Sequence, residues 1–293
     1  MDIMKFIGTT TGFRRIEYNW RDIALYALAV GAGEKDLLYV YEKNMKAIPS
    51  FGTVPYWNAV NSFPQRPEPY PGAFVVRNAL EKESGVIIRG LHMGHTLIMH
   101  RAIDPMKGSL VFEDTITNIY DRGKGRGIIV ETRVPVYDEA GNLVCENIAN
   151  TMFYAFGGFG GEAPPASAVE IPEREPDASV INQLSLTANL LYRLTGDTNR
   201  IHVDPEVAQE EGFPRPFMQG LCSFGYACRM AISVLIPGEP ERMNYISAQM
   251  RSICYPGSIL RLDVWEGEYS AIFRLVNVED ERPVLDKGVF KWK

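Results

Sequence analysis

The sequence predicts an α+β protein built from two similar halves. Each half opens with a helix-like segment, "DIALYALAVGAG" from Asp22 and "NQLSLTANLLYRLTGD" from Asn182, and several strand-like segments follow. Residues 157–180 lie between the halves and are rich in glycine, proline and charge, which is typical of a linker. We therefore expect one unit over residues 1–156 and a second over residues 181–293.

Alternating and β-branched residues between turn signals predict the strands of both halves. In the first half, such segments begin at Gly108 and Gly125, and the second of them contains a turn at residues 139–142. The segment "TLIMHRAI" alternates in the same way. In the second half, residues 244–292 predict three or four further strands.

The two helix-like openings match each other when they are aligned. Leu25, Tyr26 and Leu28 fall opposite Leu191, Tyr192 and Leu194, and Gly31 and Gly33 fall opposite Asp197 and Asn199. An internal duplication explains this match, although a chance match over so few positions is an alternative. If the halves are copies, only the second has kept the polar groups.

The halves also differ in their longest helix. From Gly220, the apolar stretch "GLCSFGYACRMAISVLI" is long enough for a buried helix of about four turns. The corresponding part of the first half contains six prolines, which exclude a helix of that length: Pro49, Pro55, Pro64, Pro67, Pro69 and Pro71. We therefore expect a groove that could hold a long or bulky apolar ligand.

Composition and charge argue against several partners. The net charge of −6 gives no broad basic surface for nucleic acid or an anionic membrane. The longest apolar run is about half of the roughly 20 residues that span a bilayer, and the amino terminus does not resemble a signal peptide. Four cysteines without a paired motif predict reduced thiols, and the carboxyl end is not an S-K-L peroxisomal signal. We expect a soluble, cytoplasmic protein.

The most distinctive segment is "GDTNRIHVDPEVAQEEGFPRPFMQGLCSFG", which holds Asp197, Asn199 and His202 before Gly220. One interpretation is purely structural, because "GDTN" favours a turn and Pro205 suits the first position of a helix. The other interpretation is acid–base chemistry, because a polar trio between apolar segments needs partners or a function.

The chemical interpretation assigns a part to each of these groups. A carboxylate and an imidazole can together bind one water and move its proton, provided that burial raises the pKa of the carboxyl group. Asn199 would orient the carboxylate of Asp197. The Gly220 N–H, at a helix amino terminus, would stabilise an oxygen that gains negative charge. This combination favours adding water to, or removing it from, a double bond next to a carbonyl.

The segment resembles the signature of the MaoC-like, (R)-specific enoyl-CoA hydratases, also called hydratase 2. The likeness is greatest to the two-repeat form found in the hydratase part of peroxisomal multifunctional enzymes. Other segments resemble that family in the same order: "DIALYALAVGAGEKDLLYVYE", "IPSFGTVP", "YDEAGNLVCEN", "GGFGG" and "CYPGSIL". The resemblance implies a double hot-dog fold, in which each repeat is a curved antiparallel sheet around a helix and the first helix is shortened to admit an acyl chain.

The resemblance also implies the reaction and the residues that perform it. Asp197 and His202 match the catalytic pair of the family, Asn199 the residue that supports them, and Gly220 the residue whose amide binds the thioester oxygen. The implied reaction is syn addition of water to a trans-2-enoyl-CoA, giving a (3R)-3-hydroxyacyl-CoA, or the reverse. It needs no metal or redox cofactor, and the family suggests a homodimer. Which of the pair is the base stays open.

Three further residues are predicted to contact the substrate. Gln219 stands where the family usually has His, and Arg200 stands where it usually has Pro. Arg200 would meet a CoA phosphate or a carboxylate on the acyl group, with simple solvent exposure as the alternative. Glu42 matches a family glutamate near the active site, although it lies closer to the following "PSFG" than in the relatives. The block "HMGHTLIMH" also departs from the family's His-Gly-Glu-Gln-like block.

Two other functions are compatible with these residues. A hot-dog thioesterase would direct the activated water at the thioester carbonyl rather than at C3, and would release the CoA thiol. A non-catalytic acyl-CoA binding protein would bind the ester without turnover, as the changes at Arg200 and Gln219 permit. A metal site at the three histidines of "HMGHTLIMH" is not expected, because no Cys or acidic partner stands at ligand spacing.

Overall fold

One antiparallel sheet of eleven strands forms the framework of the computed structural model, which describes residues 2–56 and 72–293. The strands are β1 (Arg14–Asn19), β2 (Gly90–Met99), β3 (Lys107–Phe112), β4 (Thr115–Asp121), β5 (Ile128–Tyr137), β6 (Leu143–Phe153), β7 (Ala178–Gln183), β8 (Met243–Met250), β9 (Ile259–Gly267), β10 (Ser270–Asn277) and β11 (Arg282–Trp292). They lie side by side in the order β1, β3, β5, β6, β2, β8, β11, β10, β9, β7, and β4 pairs with β5 beside this path.

The pairing of β2 with β8 joins the two halves of the chain. Gly94 lies opposite Gln249 and Ile98 lies opposite Tyr245, so one hydrogen-bonded sheet continues from the first half into the second. The main apolar core also draws on both halves, since it includes Leu97 of β2 and Phe290 of β11.

The α-helices named here are α1 (Trp20–Ala29), α2 (Leu37–Val40), α3 (Ala73–Ser84), α4 (Ala188–Arg193), α5 (Pro205–Glu210) and α6 (Gly220–Leu235). Short 3-10 helices cover Met4–Phe6, Pro49–Thr53, Arg200–His202 and Pro240–Arg242. None of the helices in these parts of the chain is long and apolar enough to cross a membrane.

The long helix predicted from Gly220 is confirmed as α6. Its 16 residues amount to about four turns, and every residue from Leu221 to Ile232 is buried. A helix that is apolar on all sides is stable only when other elements surround it. Strands β8, β9 and β11 pack against α6, so it is the central helix of the second half.

The helix predicted from Asp22 is confirmed as α1. It begins slightly earlier than predicted, because Asn19 and Asp22 form a capping box. The Asn19 Oδ1 accepts a hydrogen bond from the Arg21 N–H, and the Asp22 Oδ2 accepts one from the Asn19 N–H, both at 2.8 Å. The helix packs against α4 of the second half.

The second-half helix was predicted to start at Asn182, and this predicted start is wrong. Residues Ala178–Gln183 form β7, which pairs with β9, and their side chains alternate between half-buried and exposed, as strand residues do. The Leu184 N–H continues this pairing with a 2.9 Å bond to the Ser258 carbonyl. The helix α4 therefore begins only at Ala188, and the last three residues of the predicted linker belong to β7.

The proline-rich segment of the first half forms no long helix where it is described. Its beginning, Pro49–Thr53, is a fully buried 3-10 helix that contacts α6, whereas Pro64, Pro67, Pro69 and Pro71 lie outside the described residues. The next described helix, α3, was not predicted. Its buried side chains join a second apolar core with residues of β4 and β5, apart from the main core.

Candidate active site

The distinctive segment folds as a turn followed by two short helices. Gly196 has a φ of 133°, a conformation that favours glycine, and it lets the chain reverse after α4. The Asp197 Oδ1 accepts a hydrogen bond from the Asn199 N–H, and the Asn199 Oδ1 accepts one from the Ile201 N–H, both at 3.2 Å. The residues "GDTN" therefore form the turn that their sequence favours. The same bonds fix Asp197 in relation to the 3-10 helix that carries His202.

Asp197 has no exposed surface. Burial raises the pKa of its carboxyl group to about 7, although the Asn199 N–H and the charge of Arg193 act in the opposite direction. Burial and the nearby Asp197 charge also raise the pKa values of Tyr192 and Tyr56. The carboxyl group is therefore one that gains and loses a proton near neutral pH.

His202 is also buried, with 7% of its surface exposed. Its Nδ1 lies 3.0 Å from the Phe217 carbonyl oxygen. A carbonyl only accepts hydrogen bonds, so Nδ1 carries the proton and Nε2 keeps its lone pair. Burial lowers the pKa of the imidazole to about 4, although the Phe217 carbonyl partly offsets this effect. His202 is therefore a neutral acceptor at pH 7.

The start of α6 provides hydrogen-bond donors beside this pair. Gly220 is its first residue, and no side chain caps the helix. The first N–H groups of a helix have no partner within it, and the helix dipole makes this end attractive to negative charge. A Cβ atom at Gly220 would come within 2.8 Å of the Met250 Sδ, so glycine lets the Met250 side chain pack against the start of the helix.

A small hydrogen-bond network connects α4, the segment of residues 196–202 and α6. The Asn189 Nδ2 donates to the His202 carbonyl at 2.7 Å, and the Gln219 Nε2 donates to the Asn189 carbonyl at 2.9 Å. Asn189 was not predicted from the sequence. In the sequence, Asn189 is a single amide side chain among the mostly apolar residues of "LTANLLYRL". A buried amide needs hydrogen-bond partners, and this requirement is the feature by which the sequence could have indicated Asn189.

A cavity of about 250 Å³ opens beside these groups, between the two halves. Asn199, His202 and Gly220 contribute to its wall, whereas Asp197 is completely buried and is not part of the wall. The first half contributes a largely apolar and aromatic wall: Tyr56, Phe74, Leu91, His92 and Tyr154. The groove predicted from the shortened first-half helix therefore has a counterpart in the structure, although the sequence did not indicate which first-half residues form it.

The three predicted substrate-binding residues lie outside the cavity wall. Gln219 is completely buried behind Gly220. Arg200 points outward, with 69% of its side chain exposed, and pairs with Asp204 at 2.6 Å. Glu42 is exposed just after α2.

Two family models match consecutive parts of the chain. The MFE-2 hydratase 2 N-terminal domain matches residues 16–155, and the MaoC like domain matches residues 167–287. A probable enoyl-CoA hydratase 2 from Dictyostelium discoideum is 30% identical, over 99% of this chain and 96% of the relative. A peroxisomal enoyl-CoA hydratase 2 from Arabidopsis thaliana is 29% identical, over 92% and 89% of the two chains.

Solved structures support the same relationship. The crystal structure of a MaoC-like dehydratase from Phytophthora capsici superposes with a TM-score of 0.81 and 28% identity, over 99% of this chain and 97% of that one. A Mycobacterium tuberculosis protein described as a double hot-dog superposes with a TM-score of 0.56 and 16% identity, over 98% and 96% of the chains. The α+β, double hot-dog fold predicted from the sequence is thus confirmed. The chain belongs to the MaoC-like hydratase 2 family.

Proposed function

We propose that the protein is a hydro-lyase that adds water to a trans-2-enoyl-CoA, giving a (3R)-3-hydroxyacyl-CoA, or removes water in the reverse direction. One observation carries this proposal. A buried carboxyl group with a pKa of about 7 and a buried neutral histidine lie on one short segment, near an uncapped helix amino terminus and an apolar cavity.

The two side chains suit the binding and activation of one water. A water that donates one hydrogen bond to the Asp197 carboxylate and one to the His202 Nε2 directs its oxygen lone pairs at C3 of the enoyl group. Asp197 is the stronger base of the two, because its pKa of about 7 exceeds the value of about 4 for His202. We therefore assign the base to Asp197, which takes the proton from water and delivers it to C2.

The thioester oxygen gains negative charge as C3 is attacked. The Gly220 N–H is the group that stabilises this enolate oxygen, assisted by the dipole of α6. Because the proton and the hydroxyl group come from one water held on one face, the addition is syn. Water addition changes no net oxidation state, so we expect the CoA ester alone to suffice, without a metal or redox cofactor.

Gln219, Arg200 and Glu42 remain proposed substrate-binding residues. Gln219 would act on the substrate indirectly, since its bond to Asn189 holds the residue that precedes Gly220. Arg200 would have to leave Asp204 before it met a phosphate or a carboxylate. If Arg200→Ala leaves the KM for neutral and carboxylated acyl-CoAs unchanged, the role of Arg200 is abandoned.

The decisive experiment follows the ultraviolet absorbance of the conjugated enoyl thioester with crotonyl-, decenoyl- and branched enoyl-CoA. We expect the wild-type protein to consume all or some of these, and Asp197→Asn to lower kcat at least about 100-fold, the usual range for loss of a general base. Asp204→Asn is the matched control, because Asn also caps α5 and Asp204 lies outside the cavity wall. An (R)-specific dehydrogenase then checks the product.

Two alternative outcomes would replace the proposal. Release of the CoA thiol at a rate that depends on Asp197 would identify a thioesterase. Binding of the esters without loss of absorbance or release of thiol would identify a non-catalytic binding protein.

We also propose that the protein acts in the cytoplasm as a homodimer. The four cysteines are buried and unpaired, which suits a reducing compartment. Microscopy of a tagged protein against peroxisomal and cytosolic markers tests the compartment, and light scattering tests the dimer.

A further inference from the structure

Three first-half residues of the cavity wall carry polar atoms that the proposed reaction does not use. They are Tyr56, His92 and Thr151, and we call them the polar patch. His92 lies opposite Thr151 in the pairing of β2 with β6, and its ring centroid is 5.5 Å from that of Tyr56. Burial raises the pKa of the Tyr56 hydroxyl group, although the hydroxyl group of Thr151 partly offsets this effect. The three side chains therefore lie together on one side of a largely apolar cavity.

A β-bulge brings a second histidine to the same face of the sheet. In a regular strand, His92 and His95 would point to opposite faces, because they are three residues apart. On β6, however, their partners are only two residues apart, since Thr151 lies opposite His92 and Ala149 lies opposite His95. One residue of β2 is therefore extra, and both histidines point to the face of Thr151. Their ring centroids are 5.2 Å apart.

His95 has a buried nitrogen that can only accept a hydrogen bond. The Asn147 Nδ2 donates to the Gly52 carbonyl at 2.9 Å, which leaves the Asn147 Oδ1 facing the His95 Nε2, also at 2.9 Å. An amide oxygen only accepts, so Nε2 carries the proton and Nδ1 keeps its lone pair. His95 is 2% exposed, and in the described parts of the chain no donor reaches its Nδ1. A buried acceptor without a donor costs free energy, which a bound donor recovers.

His95 lies one ring behind the cavity wall. Its ring centroid is 5.2 Å from that of His92 and 5.5 Å from that of Tyr56, and both of these side chains line the cavity. Burial lowers the pKa of His95 to about 4, although the bond to Asn147 partly offsets this effect, so the ring is neutral at pH 7. A neutral acceptor suits a neutral donor such as a hydroxyl group. A ketone or an ionised carboxylate has no proton to donate.

The polar patch lies close to the start of α6, where the thioester is expected. The Met250 side chain at the end of β8 packs against Gly220, and β8 pairs directly with β2, where Gly94 lies opposite Gln249. Neighbouring strands are about 4.8 Å apart. The distance from the thioester to the polar patch therefore corresponds to only a few carbon atoms of an acyl chain.

We propose that the polar patch and His95 select acyl groups that carry a hydroxyl group within a few carbon atoms of the double bond. The substituent donates to the His95 Nδ1, between the rings of His92 and Tyr56, and its oxygen lies against the hydroxyl groups of Tyr56 and Thr151. This inference rests on the proposed function and names a class of substrate, the hydroxylated 2-enoyl-CoA esters. An unsubstituted chain leaves the buried acceptor unsatisfied and forgoes one hydrogen bond.

The test compares esters that share a six-carbon chain. The kcat/KM is measured for hex-2-enoyl-CoA and for its 4-, 5- and 6-hydroxy derivatives, together with the oxo counterpart of the preferred ester. We expect at least one hydroxy ester to exceed hex-2-enoyl-CoA about tenfold, as the net value of one hydrogen bond allows, and its oxo counterpart to show no such advantage. If no hydroxy ester exceeds hex-2-enoyl-CoA, or if the oxo ester matches the hydroxy ester, the inference is wrong.

Two variants locate the preference. His95→Phe removes the acceptor and Tyr56→Phe removes a hydroxyl group but keeps the ring, so each should bring the ratio of kcat/KM between the preferred hydroxy ester and hex-2-enoyl-CoA close to one. His100→Phe is the matched control and should keep the ratio, because His100 bonds to Glu146 and lies outside the cavity wall. His95→Phe also loses the bond to Asn147, so circular dichroism checks its folding, and Tyr56→Phe carries the test if it does not fold. A wild-type ratio in the folded variants overturns the inference.

Failure of the proposed reaction is recognised separately. If the wild-type protein hydrates none of the esters, the proposed reaction fails, and titration calorimetry with saturated esters decides the inference. Tighter binding of a hydroxyhexanoyl-CoA than of hexanoyl-CoA, lost in Tyr56→Phe, would then support the selection of a hydroxyl group. Equal affinity of the wild type for the hydroxylated and unsubstituted esters would rule it out.

Discussion

At the scale of single residues, burial acts in opposite directions on Asp197 and His202. Both side chains lose water, and each is driven toward its neutral form. The acid therefore becomes weaker, with a pKa of about 7, and the base becomes weaker, with a pKa of about 4. Between these values both groups are neutral, and above pH 7 only Asp197 carries a charge.

This arrangement predicts the pH dependence of catalysis. The kcat/KM should rise through about pH 7 and level off above it, because the Asp197 carboxylate must be ionised to act as the base. The same profile is expected for hydration and dehydration, since one water supplies both the proton and the hydroxyl group and the enzyme returns to its starting form. Rates measured from pH 5 to pH 9 with crotonyl-CoA and 3-hydroxybutyryl-CoA test this prediction.

The control for the pH profile is Asp204→Asn, which should keep the profile of the wild type. The bond to Arg200 holds the pKa of Asp204 below its ordinary value, so this carboxylate does not titrate near neutrality. Activity that falls through pH 7 would instead identify protonated Asp197 as the required form, and the assignment of the base would be reversed.

At the scale of elements, the segment that carries Asp197 and His202 is held by α4. The Asn189 side chain is the link, because its Nδ2 donates to the carbonyl of His202. We expect Asn189→Ala to lower kcat about tenfold while KM changes little, since a shift of the imidazole affects the reacting water more than the bound ester.

The matched control on the same helix is Leu190→Ala, because Leu190 is 48% exposed and takes no part in the network. A purely structural role for Asn189 would lower the melting temperature of Asn189→Ala without changing kcat at a temperature where the variant is folded. Asn189→Gln, which keeps the donor on a longer side chain, should recover part of kcat.

The elements also show which features the sequence could predict. The helices α1 and α6 were predictable because local signals decide them, namely a capping residue and a long apolar run without proline. The beginning of α4 was not, because only the pairing with the partner strand β9 places Asn182 and Gln183 in a strand and not in a helix. Local spacing is visible in a sequence, so the grouping of Asp197, Asn199 and His202 could be predicted. The cavity wall could not, because it is formed by segments that are far apart in the chain.

At the scale of the whole molecule, the halves share one sheet and one core. The pairing of β2 with β8 runs from Gly94 to Ile98, and the main core contains residues from both sides of that seam. We therefore predict a single unfolding transition, with a calorimetric enthalpy equal to the van't Hoff enthalpy. Differential scanning calorimetry tests this.

Ser247→Pro offers a sharper version of the same test. Ser247 lies within β8, between β2 and β11, where proline removes a ladder hydrogen bond. One transition at a lower temperature is expected from this variant. Two separate transitions, in the wild type or in the variant, would show that the halves are independent folding units.

The cavity-wall residues of the first half affect how the substrate range of such an enzyme can change during evolution. The segment with Asp197 and His202 and the amino terminus of α6 belong to the second repeat, whereas Tyr56, Phe74 and Leu91 of the cavity wall belong to the first. Selection can therefore alter the acyl groups that are accepted by changing one repeat while the chemistry is preserved in the other. Gene duplication followed by different rates of change in the two repeats is enough to produce such a separation. Libraries of variants confined to the first repeat are therefore expected to yield new substrate ranges.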